Sequence, residues 1–99
     1  MAIQLERSDA GTKVVLSDVV DLGKADELLA ALRDAHGSGQ AYAIDGRAVS
    51  RIATPCLQLV LAALRLGEAA RLASPSDAMM DAIIDLGLLP QVSDKMDLS

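Results

Sequence analysis

The sequence predicts a single small α/β domain: a mixed sheet of four to five strands with about three helices, in the order ββαβαβα(β). Three observations predict it. Two short runs of strand character open the chain and are joined by a glycine-containing turn. Three stretches of helical period follow, interleaved with short apolar runs. The 99 residues hold enough aliphatic side chains for one core but not for two domains. Hydrophobic residues make up 52% of the chain and Tyr42 is its sole Phe, Trp or Tyr, so 17 Ala and 16 Leu must supply most of a closely packed interior.

Residues 3–8 alternate apolar and polar as a half-buried edge strand does, and Asp9, Ala10, Gly11 and Thr12 supply the turn. Residues 13–17 are β-branched and complete a hairpin. From Leu22 the period becomes helical. Ala25, Leu28, Leu29 and Leu32 share a face, Asp26 and Glu27 lie early, Arg33 and His36 late, and Gly37 stops the helix. Residues 41–44 are a short apolar run, read as a central strand covered on both faces and closed by Asp45 and Gly46. A loop through Arg47, Ser50 and Arg51 leads to Thr54 and Pro55. There Thr54 is expected to cap a second helix, over about 55–67, with Pro55 in its first turn. That helix carries Leu57, Val60, Leu61 and Leu64 on one face and is apolar nearly all round, so it needs cover on more than one side. Residues 70–73 form a weak strand. Ser74 is read as the cap of a third helix, with Pro75 in its first turn, which runs to about Leu86 before Gly87. Residues 88–92 are a candidate closing strand before a polar tail at 93–99.

Nine basic against fourteen acidic residues leave a net charge of −5, and no aromatic platform exists for stacking bases, so nucleic acid is not an expected partner. The longest charge-free stretch, residues 52–64, is too short for the ~20 apolar residues of a bilayer span, so membrane insertion is not expected either. With no leader-like start and one cysteine, the expectation is a cytoplasmic protein of a reducing compartment.

Groups for catalysis are few. His36 is the one histidine and sits where it complements a helix dipole. A single His and a single Cys leave no zinc spacing, so no metal and no cofactor is expected. Cys56 lies just inside the second helix. A helix start can lower a thiol pKa, which opens the reading of a thiol enzyme, but no base is placed beside it and a small buried packing residue is the plainer reading. Asp77, Asp81 and Asp85 form a solvated acidic stripe, and the glycines make no phosphate loop.

Residues 43–61 resemble the STAS domain family, the anti-sigma-factor antagonists and their relatives. Asp45 falls on the family's strand-end Asp, Val49 on its loop Val, Ile52 on the Ile of an Ile-Asp-Ser-Ser-Gly-Leu motif, and Leu57 on its Leu. Thr54 stands at the phosphorylatable Ser, whereas Ala53, Pro55 and Cys56 replace the motif's Asp, second Ser and Gly. Asp21 matches an Asp that closes an earlier strand, and Leu86-Gly87-Leu88 matches a closing Leu-Gly-Leu. The Thr-Pro-Cys-Leu-Gln form is most similar to small stand-alone STAS proteins of bacterial chemotaxis gene clusters.

The resemblance implies a STAS-like fold over about residues 3–92. It also implies a non-enzymatic interaction module of bacterial signalling that docks a histidine-kinase-like ATPase or a chemotaxis component. The candidate docking residues are Asp21, Asp45, Arg51, Ala53, Thr54, Pro55, Cys56, Gln58 and Leu59, with Thr54 as the candidate phosphorylation site. An accessory STAS subunit of a lipid-transport ABC ATPase is the alternative within the resemblance. Homodimerisation stays open.

Overall fold

A computed structural model of the chain describes residues 3–8, 11–37, 41–66 and 70–97. Strands β1 (Gln4–Ser8) and β2 (Gly11–Val15) form the antiparallel hairpin, with Gln4 opposite Val15 and Ser8 opposite Gly11. Gly11 closes the register at φ 125°, a conformation open to glycine and costly for any side chain. A two-residue strand β3 (Val19–Val20) and a 3-10 turn (Leu22–Lys24) lead into α1 (Ala25–Gly37). Then come β4 (Tyr42–Asp45), a second two-residue strand β5 (Arg51–Ile52), α2 (Thr54–Leu66) and β6 (Ala70–Ala73). The chain continues through α3 (Asp77–Asp85), the short α4 (Leu89–Val92), a 3-10 turn (Ser93–Lys95) and β7 (Met96–Asp97).

The main sheet has the order β1-β2-β4-β6-β7, and every pair after the opening hairpin is parallel. Register aligns Leu5, Val14, Ile44, Leu72 and Met96 in one row across it, and Thr12, Tyr42 and Ala70 in another. Both rows look into the core, where they meet Leu28 and Leu32 of α1, Leu57, Val60 and Leu64 of α2, and Met79 and Ile83 of α3. A fully buried aliphatic side chain contributes about 1.5–3 kcal/mol. Many Leu, Ile and Val side chains thus replace the few large aromatics that most cores use.

The central strand departs from expectation. β4 has partners on both edges, but its side chains alternate: Tyr42 and Ile44 are buried, while Ala43 and Asp45 lie half-buried in the same register positions as Lys13 and Val15 of β2 and Arg71 and Ala73 of β6. Lys13 and Arg71 are exposed, so the sheet is covered on one face and solvated on the other. Four apolar letters concealed this, because Ala43 is small enough to sit on a wet face.

Two further expectations shift along the chain. The cap of α3 is Ser76, whose hydroxyl accepts from the Met79 amide at 3.1 Å, and not Ser74, which turns the chain out of β6 at φ 48°. The Ser76 amide is held by the Gly46 carbonyl at 3.0 Å, which fixes the cap two residues later than the Ser-Pro spacing implied. The closing strand is Met96–Asp97, inside the segment read as a polar tail. Residues 88–92 turn helical instead, with Pro90 in the first turn of α4. At the end of α3 the Gly87 amide bonds the Ile84 carbonyl and the Leu88 amide the Ile83 carbonyl, the paired bonds of a Schellman stop with Gly87 at φ 69°.

Gly46 sets the distance between the sheet and α3. A Cβ there would stand 2.5 Å from the Met79 Sδ and 3.4 Å from the Pro75 Cα. Gly46→Ala should therefore destabilise the fold by about 1–3 kcal/mol through overpacking. Ser76→Ala should cost about 1 kcal/mol through loss of the cap. Urea unfolding of both variants checks the two values.

Candidate functional site

The loop before α2 is built by backbone pairing. β3 and β5 run parallel, with Val19 beside Arg51 and Val20 beside Ile52. The Asp18 carbonyl accepts from the Ser50 amide at 2.7 Å, the Arg51 amide at 3.2 Å and the Ser50 hydroxyl at 3.0 Å. The Ala53 amide donates to the Val20 carbonyl at 2.8 Å. Val20 and Val49 are buried beneath this pair and Ile52 is half-buried, so the chain entering α2 is fixed from both sides. Further back, the Asp45 carboxylate accepts from the Arg47 amide at 2.9 Å and lies 3.8 Å from the Lys13 ammonium. The Arg47 guanidinium reaches the Ser74 hydroxyl at 3.4 Å.

Helix α2 begins where the Ala53 carbonyl accepts from the Leu57 amide at 2.9 Å. Ala53 therefore occupies the cap position, and Thr54 is the first helical residue rather than the cap. The Thr54 hydroxyl is exposed and makes no hydrogen bond with the described residues. Pro55 follows, also exposed and with no amide to satisfy, so the amides of Thr54 and Cys56 are the ones left without an acceptor in the helix.

Cys56 is fully buried, and its thiol donates to the Asp21 carbonyl at 3.2 Å. Burial pushes the thiol above its ordinary value of 9.0, and the nearby Asp21 carboxylate pushes it in the same direction. This is the reverse of an activated thiol, which needs a cationic or otherwise electropositive surrounding. The sulfur acts as a packing group that ties α2 to the turn after β3.

The expected site residues divide into three groups. Arg51, Ala53, Thr54, Pro55 and Cys56 gather with Asp21 around the β3–β5 pair, and Gln58 is exposed one turn beyond Thr54 on the same face of α2. Asp45 is tied down at the other end of the loop by Arg47 and Lys13. Leu59 stands apart, half-buried against α1. Asp18 and Ser50 were missed. Their contact joins residues 32 apart in the chain, and each looks locally like an ordinary strand boundary. Among the described residues no group of three His, Cys, Asp or Glu could hold a metal ion, and no helix is long and apolar enough to cross a membrane.

The fold matches SpoIIAA, a Bacillus cell fate determinant, in its phosphorylated form: the TM-score is 0.70 at 23% identity, over 97% of this chain and 89% of the other. This is the STAS fold. The unphosphorylated form of SpoIIAA, an anti-sigma factor antagonist, matches at a TM-score of 0.66 and 19% identity, over 93% of this chain and 98% of the other. No family model and no curated protein matches the chain by sequence. The resemblance carried by residues 43–61 thus holds for the STAS fold as a whole, at an identity that speaks for architecture alone.

The state of Cys56 can be read directly. At neutral pH iodoacetamide should alkylate Cys56 at least about tenfold more slowly in the folded chain than in urea, because the thiol is buried and protonated. A thiol pKa raised on folding contributes stability that is complete below 9.0 and is lost as pH climbs through the folded value. Cys56→Ala should accordingly lose less stability than the parent chain between neutral and strongly alkaline pH, measured by urea unfolding across that range.

Proposed function

We propose that the chain is a protein-interaction module of bacterial signalling, of the anti-sigma-factor antagonist or chemotaxis-associated kind. It acts without catalysis of its own, through a surface made by the Thr54 loop and the start of α2. Its partner on this reading is a histidine-kinase-like ATPase or a chemotaxis signalling component of the cytoplasm, and Thr54 is the site at which phosphorylation switches docking.

One observation carries the reading. Thr54 presents an exposed hydroxyl that performs no capping and has no hydrogen bond with the described residues, on a helix start that the β3–β5 pair holds in place. A threonine that only capped the helix would spend its oxygen on a backbone amide. A phosphate on this hydroxyl adds about two negative charges beside the unpaired amides of the first turn, where the helix dipole favours them. The fold tolerates the modification. A partner that covers the same loop must desolvate the dianion and is released. SpoIIAA, which shares the fold, exists in both phosphorylated and unphosphorylated forms. The arrangement around Cys56 supports a binding role over a thiol reaction, since its proton is held by burial and by the Asp21 carbonyl.

Thr54→Glu should leave the melting temperature nearly unchanged and weaken partner affinity by about 1–3 kcal/mol. Thr54→Val should change folding stability and partner affinity each by less than about 0.5 kcal/mol, as expected for an exposed residue that makes no bond. Calorimetric titration against the partner captured from the native bacterium, with melting curves in parallel, decides between them. Equal affinity of Thr54→Glu and the parent chain would remove the switch. Mass spectrometry of the chain from its native cell should find phosphate on Thr54.

A further inference from the structure

Helices α1 and α2 do not close completely over the sheet. A cavity of about 260 Å³ lies between them, with Leu29 and Leu32 of α1 and Leu59 and Ala63 of α2 as its apolar wall. It also takes in Arg33 and His36 from the last turns of α1, and Tyr42 at the start of β4. Tyr42 is 4% exposed, and its hydroxyl is buried without a hydrogen-bond partner. An orphan donor of that kind is costly to leave unmade. Among the described residues no acidic one lines the cavity, although acids outnumber bases fourteen to nine in the chain, and Arg33 and His36 form no ion pair with the described residues. Beside the opening, Leu66 is 80% exposed.

We propose that this cavity binds a free medium-chain fatty acid, with the carboxylate accepting hydrogen bonds from Tyr42 and Arg33 and the alkyl chain lying between Leu29, Leu32, Leu59 and Ala63. The chemistry follows from the lining. An apolar slot whose described lining offers a cationic and a hydroxyl donor selects an amphiphile with an anionic head. Size limits the tail: residues 29–37 span roughly 12 Å of helix, which suits an alkyl chain of about ten carbons. Burial raises the Tyr42 pKa and so keeps the phenol protonated as a donor. The site is separate from the Thr54 surface, at the opposite end of α2.

Sodium decanoate, titrated calorimetrically into the full chain at neutral pH below its micelle-forming concentration, should bind saturably at one site and raise the melting temperature. Tyr42→Phe and Arg33→Gln should each weaken it about tenfold, the scale of one charge-assisted hydrogen bond. Tyr42→Phe should melt no lower than the parent chain without ligand, because it deletes a buried hydroxyl that has no partner. 1-Decanol, which lacks the charge, should bind more weakly than decanoate. Absence of saturable decanoate binding overturns the proposal, as does undiminished binding by both variants. Association with phosphatidylglycerol vesicles but not with decanoate overturns it in favour of a membrane surface.

Discussion

Two backbone segments, residues 18–21 and 50–53, are held together by a handful of hydrogen bonds, and the rest of the site depends on them. The Asp18 carbonyl takes three donors from Ser50 and Arg51, and the Val20 carbonyl takes the Ala53 amide. The Ala53 amide is held there while its carbonyl accepts from the Leu57 amide to start α2, and Thr54 is left exposed as the first helical residue. The same clamp sets the Asp21 carbonyl against the Cys56 thiol. A loop of this length without such pairing would carry Thr54 on a mobile tip. Here the residue sits on an element whose position is set by buried Val20 and Val49.

The one-sided sheet explains how the clamp is positioned. Parallel connections from β2 to β4 and from β4 to β6 bring the carboxyl ends of the strands to one edge of the fold, where the chain turns over into the helices. At that edge the Asp45 carbonyl accepts from the Leu16 amide at 3.0 Å, and the Gly46 amide donates to the Ala73 carbonyl at 3.1 Å, so the strand ends are bonded beyond the formal sheet. Gly46 is small enough for α3 to approach, and its carbonyl anchors Ser76. The aliphatic core does the remaining work. Without Phe or Trp, packing relies on many medium-sized side chains. The one large aromatic, Tyr42, lies beside the gap between α1 and α2.

Much of this was legible in the residues. The period of Ala25, Leu28, Leu29 and Leu32 located α1, the face of Leu57, Val60, Leu61 and Leu64 located the core side of α2, and residues 70–73 gave β6 without error. Signals that failed were of two kinds. Cap chemistry was ambiguous wherever several hydroxyls lay close together: Ser74 and Ser76 both fit a helix start, and tertiary bonding to Gly46 chose the second. At Thr54 the side chain suited a cap, but the Val20 carbonyl fixed Ala53 in that place. Elements shorter than one period left no trace at all. β3, β5 and β7 hold two residues each and exist because a partner strand is beside them, which no local pattern records. The candidate site residues came mainly from the STAS resemblance, whereas Asp18 and Ser50, which hold the loop that carries them, bear no chemical mark of that role.

Amide hydrogen exchange at Ser50, Arg51 and Ala53 tests the central claim most directly, since these three donors form the clamp. If the β3–β5 pair holds the start of α2 as described, their protection should lie within about tenfold of the central amides of β4 and β6, and should fall together when Val20→Ala loosens the packing beneath. Exchange of Arg51 and Ala53 at the rate of an open loop, with β4 still protected, would contradict it: Thr54 would then sit on a mobile segment rather than on a fixed helix start.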